Sequence, residues 1–124
     1  MDKAQVLYEF WSSFGLPAYD ESSVPTGELA PSLPYITYNT ITDSLGGTIP
    51  LHASVWYKST SWAEITQKTD DIAEFIGGGL EFDVDGGYVT IYRVTPFAQR
   101  MSDPSDDLIR RMYLTVQAEF LTEY

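Results

Sequence analysis

A chain of 124 residues, 44% apolar and 15% aromatic, can hide about two-thirds of its unfolded surface around one core, which excludes a wholly disordered chain and argues against a second domain. With 18 acidic residues against 7 basic ones, a formal net charge of -11, it repels phosphate backbones and anionic membranes, and no run approaches the roughly 20 apolar residues of a bilayer span. The absence of cysteine and the single histidine, His52, remove a disulfide framework, thiolate metal sites and most zinc constellations.

Met1-Asp2-Lys3-Ala4 runs straight into an amphipathic pattern without the apolar stretch of a secretory signal, so synthesis and assembly in the cytoplasm is expected. Leu7, Phe10, Trp11 and Phe14 recur at helical spacing and predict a helix over roughly residues 3 to 14, stopped by Gly15 and Pro17. Residues 17 to 33 carry three prolines, serines and acids without a period and read as a long loop, either a contact arm or a mobile segment. Pro34 to Ile41 is β-branched and aromatic and reads as a strand, and Thr42 to Thr48 has turn chemistry. Leu51 to Lys58 alternates, with Leu51, Ala53, Val55 and Tyr57 on one face and His52, Ser54, Trp56 and Lys58 on the other, so these two strands should pair as a hairpin.

Ser61-Trp62-Ala63-Glu64 fits a capping box, which starts a second helix at Trp62 and leaves it to end at Gly77-Gly78-Gly79. Trp62, Ile65, Thr69, Ile72, Ala73 and Ile76 form its apolar stripe. Strands over 80 to 84 and 88 to 94 flank Asp85-Gly86-Gly87 as a second hairpin. Residues 95 to 107 read as a polar loop. The last strand is the most regular, with Met112, Leu114, Val116, Ala118 and Phe120 opposed by Arg111, Tyr113, Thr115, Gln117 and Glu119. The expected fold is α+β, a single domain over residues 1 to 124. Its sheet is mainly antiparallel with two helices packed on one face, in the order α-β-β-α-β-β-β.

No catalytic, cofactor or metal set emerges. His52 has no nucleophile motif beside it, the acidic groups miss the calcium-loop spacing, and the glycines at 77 to 79 follow a helix where a phosphate cradle precedes one. Arg93, Arg100, Arg110 and Arg111 gather in the C-terminal third. They either face a neighbouring copy's acidic surface or pair internally with Asp103, Asp106 and Asp107. Aromatic, Met and Arg side chains are the types enriched at interfaces, and on that chemistry Tyr19, Trp56, Phe97, Arg100, Met101, Arg110 and Arg111 are the interface candidates.

Several stretches together resemble the tail-completion, or tail-terminator, proteins of long-tailed phages and prophages of Gram-positive bacteria. They are Phe14-Gly-Leu-Pro-Ala-Tyr-Asp20, Val24-Pro25, Pro34-Tyr-Ile-Thr-Tyr38, Ala53-Ser-Val-Trp-Tyr57, Thr60-Ser-Trp62, Thr95-Pro-Phe-Ala-Gln-Arg-Met101, Asp103-Pro104 and the final strand. The resemblance implies a non-enzymatic virion component without cofactor. It would form a homo-oligomeric ring, typically a hexamer, that caps the tail tube protein and joins the head-closure or connector protein. DNA would pass through such a ring without specific binding. A head-tail connector subunit is the nearest alternative, and a small-molecule binding domain with Trp56, Tyr88 and Tyr92 in its pocket is the alternative of another class.

Overall fold

A computed structural model describes residues Met1–Tyr124. Its first helix, α1 (Lys3–Ser12), is fixed at its start by Asp2. The Asp2 carboxylate accepts the Gln5 amide at 2.8 Å, and the Gln5 side chain accepts the Asp2 amide at 2.9 Å. This is a reciprocal capping box, which satisfies backbone donors that the first turn leaves open. Val6, Leu7, Phe10 and Trp11 are buried along it, an apolar stripe that faces the core.

That sheet has six strands: β1 (Ala18–Asp20), β2 (Tyr35–Tyr38), β3 (Gly47–Lys58), β4 (Leu80–Val84), β5 (Gly87–Ser102) and β6 (Ile109–Thr122). They lie in the order β1-β2-β3-β6-β5-β4. All neighbours are antiparallel except β1 and β2, which run parallel. The central pairs Leu51↔Val116, Ala53↔Leu114 and Val55↔Met112 place the apolar set of β3 and β6 on one face. The second helix, α2 (Ala63–Ile76), covers that face with Ile65, Thr69, Ile72 and Ile76. Helix α1 joins it there, since Trp11 stacks on Tyr38, Phe10 meets Phe82, and Phe14 meets Phe75 of α2. The α+β sheet with both helices on one face is therefore as expected, and no helix is long and apolar enough to cross a membrane.

Four details depart from the sequence reading. Strand β1 lies inside the stretch read as loop; three residues behind Pro17 are too short to show a period. Strand β3 begins at Gly47, inside the expected turn, and runs through Pro50. The expected capping box at Ser61 and Glu64 does not form: Ser61 Oγ accepts only the Ala63 amide at 3.0 Å, and α2 starts at Ala63 with Trp62 as its cap. Strand β5 continues to Ser102 through residues read as loop. Between Arg93↔Val116 and Ala98↔Leu114 its pairing with β6 is broken by a bulge, which absorbs Pro96 and hides the alternation.

Candidate functional site

Helices cover one face of the sheet and leave the other open. Register places Tyr35, Trp56, Arg111 and Met101 side by side across β2, β3, β6 and β5 on that open face, with Thr37, Ser54, Tyr113 and Gln99 in the next row. The Arg111 guanidinium lies over the Trp56 ring at 4.8 Å and near Tyr113 at 5.7 Å, cation–π contacts worth about 0.5–1 kcal/mol each at a wet surface. Arg111 Nε donates to Ser54 Oγ at 3.0 Å, and Ser54 is only 4% exposed. Trp56 is held by its own indole N–H, which donates to Thr37 Oγ1 at 2.9 Å. His52 stacks on Tyr113 with ring centres 5.1 Å apart, and its Nδ1 lies 3.3 Å from Thr115 Oγ1. All of these side chains except Met101, Gln99 and Thr115 line a cleft of about 360 Å³, rimmed by Glu21 and Val24 from the segment after β1.

The candidate interface residues divide between the two faces. Trp56, Met101 and Arg111 come together on the open face, and Tyr19 lies beside them, edge-on to Tyr35 at 5.9 Å. Arg100 and Arg110 instead stack over Trp62 on the helix side, at 4.7 and 5.3 Å. Phe97 sits in the β5 bulge and packs against the edge of the core. Adjacent residues of a strand face opposite ways, so Arg110 and Arg111 could never share one surface. None of the four C-terminal arginines pairs with Asp103, Asp106 or Asp107: the two ion pairs are Met1 with Asp85 and Lys58 with Asp106. Arg93 donates to the Gly77 carbonyl at the end of α2. Tyr88 and Tyr92, the other aromatics expected in a pocket, lie outside the cleft.

No group of three or more acidic or histidine side chains converges as a metal ion would require. Comparison of the chain with protein-family models, with curated proteins and with solved structures returns no significant match.

The rim of this surface is organised by one carboxylate. Asp20, at the end of β1, accepts the Ser22 amide at 2.9 Å, the Ser22 hydroxyl at 2.5 Å and the Thr40 hydroxyl. These bonds, the Ser22 hydroxyl foremost, hold its pKa below the ordinary 3.8. A depressed carboxylate stabilises the fold above its unfolded pKa, and that contribution fades as pH falls through the folded value. We therefore expect the Ser22 amide to lose hydrogen-exchange protection as the solution is acidified below about pH 3.8, and Asp20→Asn to flatten that dependence. Equal acid sensitivity in the two proteins would show that Asp20 does not organise the rim.

Proposed function

We propose that the chain is a structural subunit of a homo-oligomeric ring, of the kind that completes the tail of a long-tailed phage. In that role it caps the tail tube protein and presents a surface to the head-closure or connector protein, without catalysis. It is assembled in the host cytoplasm and carried in the virion. The sequence resemblance points to the assembly, and one observation supports the ring: β4 pairs with β5 only from Gly87 to Ile91, so the outer edge of β5 from Tyr92 to Ser102 has no strand beside it.

An unpaired edge is a template for another chain's strand, and a head-to-tail contact that repeats with rotation closes into a ring. The hairpin that offers this edge also carries Phe97, Arg100, Met101, Arg110 and Arg111, four of them Arg or Met, types enriched where subunits meet. Arg100 and Arg110 share the Trp62 ring at the foot of this hairpin, and Trp with Arg is the usual chemistry of residues that dominate an interface.

The test is the solution mass by light scattering across a concentration series, with negative-stain images of any large species and of isolated tail tubes mixed with the protein. A ring of about six subunits, free or on the tube end, is the expected result. Arg100→Glu should weaken ring formation by about 2 kcal/mol or more, the scale of a central interface arginine. A wild-type protein that stays monomeric both alone and with tail tubes would remove the ring reading. An unchanged ring in Arg100→Glu would remove that residue from the contact.

A further inference from the structure

The open-face cleft holds a cation that the fold leaves unsatisfied. Arg111 carries five N–H donors. Nε is taken by Ser54 Oγ, and neither Nη group has a partner in the chain, since neither ion pair involves Arg111. No carboxylate stands within ion-pair distance of it; the Ser105 hydroxyl foremost holds the Asp103 carboxyl below the ordinary range, and the charge of Arg111 is the smallest of the influences that do so.

Its surroundings form a built site and not a loose side chain on a surface. The guanidinium lies over the Trp56 ring with Tyr113 nearby, and its inner edge is fixed by a nearly buried hydroxyl. The Ser54 hydrogen bond and the Trp56 contact restrict rotamers that a long side chain would otherwise lose on binding, so the Nη fork is partly pre-organised. Asn39 adds to this: its Oδ1 is committed to the His52 amide at 2.8 Å, which leaves its NH₂ donors to a ligand. His52 places Nδ1 near Thr115 and leaves Nε2 without a partner.

From these features the geometry points to a carboxylate-binding site, with Arg111 as the anchoring group and the aromatic side chains of Trp56 and Tyr35 in the cleft wall beside a planar neighbour of that carboxylate. A guanidinium edge matches a carboxylate with two parallel hydrogen bonds. Charge decides against a phosphate dianion: one cation stands against a net charge of -11, and Glu21 on the rim adds a like charge. The cleft volume, about 360 Å³, lies at the small end of the range for small-ligand pockets, which suits a single ring or one side chain.

The carboxylate comes either from a free small acid or from an Asp or Glu side chain of a second copy. The second source has candidates on the same face. Glu81 and Asp83 of β4 are exposed, lie opposite Thr90 and Tyr88 of β5, and enter neither ion pair. Tyr88 is level with Leu121, so these acids stand at the far end of β6 from Arg111. Glu81 is level with Glu119 and Asp83 with Leu121, so eight and ten residues at about 3.3 Å each put them roughly 26 and 33 Å away along the strand, beyond reach of Arg111 in the same molecule. The site does not depend on the ring reading and could exist in a monomer.

The experiment titrates the whole protein with benzoate, and in parallel with the neutral isostere benzamide and with phosphate. NMR follows the Trp56 indole N–H and the Arg111 Nε–H, and sedimentation compares self-association of wild type and variants. Benzoate is expected to shift both signals, benzamide and phosphate to bind at least about tenfold more weakly, and Arg111→Gln to lose about tenfold or more of the affinity. If Arg111→Gln melts early, Arg111→Lys, which keeps the charge but not the fork, and Ser54→Ala, which frees Nε, should weaken benzoate binding in a folded protein. Self-association that falls in both Arg111→Gln and Asp83→Asn, and that benzoate competes away, identifies the copy as the source. Benzoate binding with self-association unchanged identifies a free acid. Benzamide binding as well as benzoate, or no response to benzoate together with unaltered association in Arg111→Gln, overturns the proposal while leaving a ring formed through β5 untouched.

Discussion

Replacing Trp11 by alanine is expected to cost about 3–5 kcal/mol, a large part of the roughly 5–15 kcal/mol that holds a domain of this size together. Trp11 is fully buried and touches aromatic partners on several sides: Phe10 at 4.7 Å, Phe14 at 6.3 Å and Tyr38 at 6.4 Å. It is the side chain through which α1 grips β2, far from it in sequence. Removing it leaves a cavity that rigid neighbouring rings cannot collapse to fill. Its indole N–H has no hydrogen-bond partner, so the polar atom contributes nothing that phenylalanine would lack. Trp11→Phe should therefore lose clearly less stability than Trp11→Ala. Urea midpoints of the three proteins measure this, and an alanine variant with the wild-type midpoint would show that α1 is not part of the cooperative core.

Gly87→Ala should be nearly as damaging although it adds one methyl group. A Cβ at Gly87 would stand 2.0 Å from the Leu121 carbonyl oxygen and 3.0 Å from both the Leu121 carbonyl carbon and the Thr122 Cα. All three belong to the backbone of β6, which cannot swing aside as a side chain would. Gly87 pairs with Thr122 in the register, so relief requires β5 and β6 to part at this end. The cost should reach about 3 kcal/mol, the upper part of the usual range for overpacking. Gly46→Ala is the control: its Cβ meets nothing within 4 Å, and only its φ of +81° resists substitution, a backbone penalty of about 1–2 kcal/mol. Gly87 also has a positive φ, +156°, so both variants carry a backbone penalty, and the excess loss of Gly87→Ala in thermal melts reports the clash. Equal losses would mean that β6 yields at Leu121.

Strand β6 was legible because both of its faces follow the two-residue period from Met112 to Phe120. Helix α2 was legible because Ile65, Ile72 and Ile76 line one face and Gly77 follows them. Asp2 and Gln5 form the working capping box, while Ser61 and Glu64 match the pattern more fully and do not. The choice depends on how the chain enters each helix, which local spelling leaves open. Strand β1 exists because β2 is there to pair with it, so three residues carry no signal of their own.

Of the cleft, residue type alone singles out Trp56 and Arg111. Alternation places His52, Tyr113 and Ser54 on the polar faces of their strands and gives no reason to join them. The missing information was the β3 to β6 register, in which His52 meets Thr115 and Ser54 meets Tyr113. That register brings together residues about 60 positions apart in the chain, and a one-residue slip would turn each of them to the other face.

The unpaired edge of β5 also exposes the protein to a hazard. Backbone N–H and C=O groups accept any strand of suitable length, so the edge has no means of refusing a wrong partner or a misaligned one. Copies with a net charge of -11 repel each other over about 30 Å in 0.01 M salt but only about 8 Å at physiological ionic strength. Dissolved ions thus act as a throttle on strand addition. Dilute buffer should keep the molecules apart, and concentrated salt should favour sticking whether or not the alignment is correct.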